Sequence, residues 1–277
     1  MPKSATVRLD RISTEPPRGT DRARIKKLSK ALEDELAELD DLLYSARQHA
    51  VLVVLQGRDA AGKDGTIRGI LDHCNAQGVR VESFKVPTDE ERSHDFLWRV
   101  HGKVPAHGEI VLFNRSHYED IIVTKVHDLF SPEVIGPRHE AINHFETLLA
   151  QNNTILFKFF LHISADEQEE RLLAREKDRE KAWKLAVGDW KEREYWDDYT
   201  RAYEEALTRC AAPGLPGHVV PADKKWYRDY VVLKVIVEGL RPYKTGWLES
   251  LSALGKIRMA ELREYKAGQR KHTSQED

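Results

Sequence analysis

The residues best suited to chemistry lie in GRDAAGKDG, residues 57–65, where Gly57, Gly62 and Lys63 satisfy the spacing G-x-x-x-x-G-K. Glycines let the backbone fold into a nest whose N–H groups point at phosphate oxygens. Lys63 brings a mobile positive charge to the terminal phosphates. Ala60, Ala61, Gly65 and Thr66 complete the phosphate- and nucleotide-binding stretch. Such loops usually follow the lysine with Ser or Thr, but here the residue is Asp64, and Asp59 adds a second carboxylate. Two carboxylates facing bound phosphate make electrostatic sense with a hard cation between them. The sequence therefore implies one or two Mg²⁺ at Asp59 and Asp64, with Mn²⁺ as a substitute.

A second chemical stretch is FNRSHYED, residues 113–120. Arg115 offers a two-pronged donor to phosphate; its other reading is an ion pair with Glu119 or Asp120. Further cations include Arg68 and Lys85, either a continued basic track for a polyanion or ordinary surface residues. Arg171 and Arg175 share one face of a charged helix. His94, His101, His107 and His117 follow no metal-ligand spacing and read as surface or supporting residues.

These residues need a scaffold, and the pattern supplies one. Ile25, Leu28, Leu32, Leu36, Leu39 and Leu43 mark a helical stripe. VLVVLQ at 51–56 reads as a strand buried on both faces and leads directly into the glycine-rich loop, with a helix following Gly62. Strands are expected again at 79–86, 109–114, 154–163 and 218–222. Helices are expected around 90–100, over 131–150, and from 224. Ser164 with Glu167 reads as a capping box. Five strands alternating with helices predict a three-layer α/β fold with a parallel sheet. We read residues 1–20 as a mobile arm, 21–267 as a single domain with a helical insertion at about 165–195, and 268–277 as a polar tail.

The 277 residues carry 44 Lys and Arg against 46 Asp and Glu, a formal net charge of −2. That balance argues against a general binder of nucleic acid or anionic membranes. No apolar run approaches the ~20 residues that span a bilayer, and the first residues lack the apolar core of a signal peptide. Two cysteines build no disulfide framework, which fits a reduced cytoplasmic compartment.

QGRDAAGKDGTIRGI, with Asp after the lysine and Asp within the loop, resembles the phosphate loop of the type-2 polyphosphate kinases. The resemblance runs over about residues 28–240, through the segment 81–127, KFFLHISADEQEERL and HVVPADKKWYRDYVV. It implies a P-loop kinase core like thymidylate kinase, with a five-stranded parallel sheet and a helical lid. It also implies Mg²⁺-dependent phosphoryl transfer between inorganic polyphosphate and nucleoside mono- or diphosphates. In the family, lid cations close over the transferring phosphates, which makes Arg171, Arg175, Lys181 and Lys184 the candidates beside Lys63 and Arg115. Asp59 could orient the attacking oxygen. Many members carry FDRS where this chain has FNRS, so Asn114 stands in the place of a metal-side carboxylate, and Asp120 or Glu119 is the expected replacement. FNRSHYED resembles the subgroup acting on both AMP and ADP, and the expected activity is reversible conversion of AMP to ADP and ADP to ATP. Guanine nucleotides and homo-oligomer formation stay open. Two other readings share the core: an ATP-dependent nucleoside-monophosphate kinase, and a non-catalytic P-loop nucleotide-binding protein.

Overall fold

A computed structural model describes residues 6–177, 187–212 and 214–273. The order of elements is α1 (Arg22–Ala46), β1 (Ala50–Gln56), α2 (Lys63–Leu71), β2 (Val79–Ser83), α3 (Asp89–Ser93), α4 (Trp98–His101), β3 (Ile110–Asn114), α5 (Glu119–Val126) and α6 (Pro132–Gln151). There follow β4 (Thr154–His162), α7 (Ala165–Lys177), α8 (Val187–Glu192), α9 (Trp196–Arg209), β5 (Gly217–Pro221), α10 (Lys225–Leu240) and α11 (Lys244–Thr273).

The strands form one parallel sheet in the order β2-β3-β1-β4-β5. The valine-rich β1 is its centre, paired with β3 (Val51 opposite Ile110) and with β4 (Val51 opposite Ile155). Every residue of β1 is buried because helices cover both faces. Alternation divides the strand between two cores. Val51, Val53 and Leu55 pack with Leu36, Leu39 and Leu43 of α1 and with Val232, Ile236 and Val237 of α10. Leu52 and Val54 pack with Phe113, Ile121 and Phe145 on the opposite side. Each such side chain contributes about 1.5–3 kcal/mol by leaving water. The result is the three-layer P-loop kinase architecture, in which the C-terminal ends of β1 and β3 open on one edge.

Four expectations change. Residues 6–20, the described part of the expected arm, are fastened along the body instead of standing free. Leu9 is buried, Val7 N donates to Thr208 Oγ1 at 3.0 Å, and Leu9 N donates to Glu204 Oε1 at 2.7 Å. Isolated apolar residues without periodicity gave no signal of this docking. The helix expected around 90–100 is two short helices, α3 and α4, separated by an extended His94. The capping box at Ser164 is half formed. Ser164 Oγ accepts from Glu167 N at 3.2 Å, but the Ser164 N–H goes to Asp223 Oδ1 at 2.8 Å while the Glu167 carboxylate takes Arg171. At the other end α11 continues to Thr273, through much of the expected tail.

Candidate active site

The phosphate loop leaves β1 at Gln56 and enters α2 at Lys63. Ala60 (φ 61°) and Gly62 (φ 107°) both take left-handed backbone angles inside it. At Ala60 that conformation costs about 1–2 kcal/mol, so surrounding contacts must hold it. The Lys63 ammonium lies within the loop and donates to the carbonyls of Gly57 (2.6 Å) and Arg58 (3.2 Å). Burial lowers its pKa, a tendency opposed chiefly by Asp59 and in part by Glu119 and Asp64.

Two buried arginines, both on the wall of the cleft beside the loop, brace its backbone. Arg171 donates Nη1 to Ala60 O (2.9 Å) and Ala61 O (3.1 Å), and Nη2 to Ala222 O (2.7 Å) and Asp223 O (2.9 Å). Its Nε reaches Glu167 Oε1 at 2.8 Å. All five guanidinium donors are thereby engaged. Arg171, expected to cover the transferring phosphate, lines the cleft at the loop, and its donors are engaged by the backbone that frames it and by Glu167. Arg228, which the sequence did not single out, donates to Ala61 O at 3.2 Å and pairs with Asp229 at 2.8 Å. The Thr66 hydroxyl also turns to Asp229, at 3.0 Å, so it points away from the phosphate position expected of it.

The end of β3 meets the loop from the other side. Asn114 Nδ2 donates to Asp64 Oδ1 at 2.8 Å. Arg115, with a left-handed φ of 62°, donates Nη2 to Asp59 Oδ1 (2.6 Å) and Nη1 to Glu119 Oε2 (3.0 Å). Burial would lower its pKa, but Glu119 and Asp59 together raise it, so Arg115 stays cationic. Beneath Arg115, His117 is fully buried and shares the Glu146 carboxylate with Tyr118 and Lys158. This is a supporting network within the core.

The loop opens on a cleft of about 640 Å³ whose walls include Asp59, Lys63, Asp64, Arg68, Asn114 and Arg115. Arg175 and Lys225 also line it, Arg175 paired to Asp189 at 3.0 Å. Lys181 and Lys184 lie outside the described residues. Asp120 is not among these groups. Its carboxylate is bound by the buried Arg99 at 3.1 Å, and burial outweighs Arg99 in raising its pKa. The metal-side role expected of Asp120 therefore lacks its geometry.

Asp120 instead lines an adjoining cavity of about 580 Å³, together with Lys85, Phe84, Phe96, Phe130 and Arg138. Lys85, expected on a phosphate track, belongs to this cavity. The Arg138 guanidinium lies over the rings of Phe130 (4.3 Å) and Phe96 (5.0 Å). Arg115 lines both spaces. The sequence missed Phe96, Phe130 and Arg138 because they come from three separate segments with no shared motif.

The donor chemistry suits a hard cation. Asp59 and Asp64 bring carboxylate oxygens to the cleft wall, and Mg²⁺ characteristically takes one or two carboxylates plus substrate phosphates. Among the described residues no group of three His, Cys, Asp or Glu side chains forms a ready-made cage.

Comparison with known proteins agrees with this arrangement. Residues 19–245 match the sequence model of polyphosphate kinase 2. The chain is 47% identical over 233 residues to the AMP/ADP-polyphosphate phosphotransferase of Meiothermus ruber, covering 84% of this chain and 87% of that protein. It is 41% identical over 232 residues to the ADP-polyphosphate phosphotransferase of Rhodopseudomonas palustris, covering 79% and 80%. The crystal structure of polyphosphate kinase 2 from Arthrobacter aurescens superposes with a TM-score of 0.83 at 40% identity, covering 85% of this chain and 86% of that one. With a glycine-rich loop on β1, an Asp after its lysine and an Asn-Arg pair closing the site from β3, the chain belongs to the polyphosphate kinase 2 family.

Proposed function

We propose that this protein reversibly transfers phosphoryl groups between inorganic polyphosphate and the terminal phosphates of AMP and ADP. The observation that carries this reading is the position of Arg115 at the junction of two different spaces. One is a polar cleft at the phosphate loop, suited to a chain of phosphates. The other has aromatic walls and stacked guanidinium groups, suited to a nucleoside. Phosphoryl transfer asks the protein for positioning and charge neutralisation. Lys63 and the loop hold phosphates at the junction, while Arg115 and Arg175 face the transferring group. An acceptor phosphate is already ionised at neutral pH and needs no strong base, so Asp59 acts by orienting. Mg²⁺ would be held by Asp59 and Asp64 and would supply neutralisation of phosphate charge. Asn114 steadies Asp64, and Glu119 fixes Arg115. The described residues contain no helix long and apolar enough to cross a membrane.

Incubation with AMP or ADP, Mg²⁺ and polyphosphate, followed by chromatography of the nucleotides, tests the proposal. Phosphorylation of both nucleotides only when polyphosphate is present is expected. Transfer from ATP with polyphosphate inert would replace this reading with a nucleoside-monophosphate kinase.

A further inference from the structure

Resting on the polyphosphate reading above, we infer that the start of α1 is a distal docking patch for long polyphosphate chains, formed by Arg18, Arg22 and Lys26. The patch lies at the same sheet edge as the catalytic cleft. Two contacts put the segment before α1 beside the start of α10: Asp223 N donates to Thr14 O at 3.0 Å, and Glu15 pairs with Lys224 at 3.3 Å. Two more place the far ends together, Glu35 with Arg241 and Glu38 with Lys244, each at 2.7 Å. Helices α1 and α10 therefore run side by side in the same direction. Because α10 follows β5 of a parallel sheet, both begin at the sheet edge where the phosphate loop lies, and Lys225 itself lines the cleft.

The charge at this edge has no structural role. Arg18, Arg22 and Lys26 are exposed, and none has an acidic partner among the described residues. By contrast Lys30, one turn further, is paired with Asp34 at 2.8 Å. The first turns of α1 and α10 hold no acidic residue, and the one carboxylate at the α1 N-terminus, Asp21, is turned to its own helix, accepting from Ala23 N at 2.8 Å. Side chains on a helix lean toward its N-terminus, so Arg22 and Lys26, four residues apart on one flank, lean toward the cleft edge. A polyanion leaving the cleft past Lys225 meets them next. The family match begins at residue 19, so Arg18 and the segment that fixes it lie outside the matched region.

The test is the triple variant R18Q/R22Q/K26Q, with K256Q/R263Q/K266Q on the exposed α11 as a control that removes the same charge. KM is measured for short oligophosphates, too short to pass Lys225, and for long-chain polyphosphate, at several salt concentrations. In the triple variant the ratio of long-chain to short-chain KM rises by about tenfold, and the slope of log KM against log salt for long chains falls by about two, at roughly 0.7 per phosphate contact. An unchanged ratio overturns the patch, as does an equal rise for both substrates or the same rise in the control. A wild-type protein inert toward polyphosphate would overturn the functional reading itself and the patch with it. A wild type active with polyphosphate whose ratio is unmoved by the substitutions overturns the patch alone.

Discussion

Gly62 and Arg228 compete for one space. A methyl group on Gly62 would lie 1.7 Å from Arg228 Nη1 and 2.7 Å from its Cζ. The Arg228 side chain is buried and fixed at both ends, on Ala61 O and on Asp229. The glycine at this position of the motif therefore serves two purposes: the left-handed turn, and close approach of the guanidinium that braces it.

Gly62→Ala must displace either the loop or Arg228. Turnover with polyphosphate falls by at least about a hundredfold, the cost of a misplacement near 1 Å at a reacting centre. Steady-state kinetics at saturating nucleotide check this, with circular dichroism confirming that the sheet is retained.

Arg171 and Arg175 separate structure from chemistry one helical turn apart. Arg171→Lys supplies three donors where five are engaged, so buried carbonyls of the loop lose their partners at about 1–3 kcal/mol each. Its melting temperature and its turnover fall together. Arg175, half-buried on the cleft wall, gives up only its pair with Asp189. Arg175→Ala keeps the melting temperature within a few degrees while turnover falls. Differential scanning fluorimetry beside kinetics distinguishes the two.

The metal assignment predicts opposite behaviour for two aspartates. Asp64→Asn raises the Mg²⁺ concentration for half-maximal activity by about tenfold or more, as expected when a hard cation loses one of few carboxylates. Asp120→Asn leaves the Mg²⁺ requirement in place and alters KM for the nucleotide, because Asp120 and Arg99 line the adjoining cavity. A Mg²⁺ shift in Asp120→Asn equal to that in Asp64→Asn would return Asp120 to the metal.

Asp40, fully buried in α1, gives a prediction about stability. Burial pushes its pKa from 3.8 to about 6, against the opposing hydrogen bond from Asn75 N. The folded state thus prefers the protonated form. The wild type loses stability as pH rises from about 4 through 6, and the loss is complete above that range. Asp40→Asn, neutral throughout, is more stable at pH 7.5 by up to about 3 kcal/mol, and the gap closes toward pH 4. Urea denaturation at both pH values measures it; a constant gap would contradict the linkage.

What the sequence disclosed followed the range of each signal. Gly57, Gly62 and Lys63 were legible because the loop is contiguous and its flanking strand and helix have strong periodicity. The central strands β1, β3 and β4 were legible for the same reason, their residues mostly buried on both faces. Arg171 was legible as a cation near the site but not as a clamp, since spacing alone cannot tell which carbonyls a guanidinium will meet. Arg228 was invisible because its partner Gly62 is distant in sequence and nothing in KKWYRDY marks it. The docking of residues 6–20 rests on single contacts such as Leu9 and Thr14, which carry no period.

The most direct measurement is conversion of ADP to ATP by polyphosphate and Mg²⁺, comparing the wild type with Lys63→Ala at matched circular dichroism. The wild type is predicted to form ATP only with polyphosphate present, and Lys63→Ala to form essentially none. Near-wild-type ATP formation by Lys63→Ala, or none by the wild type, would contradict the account.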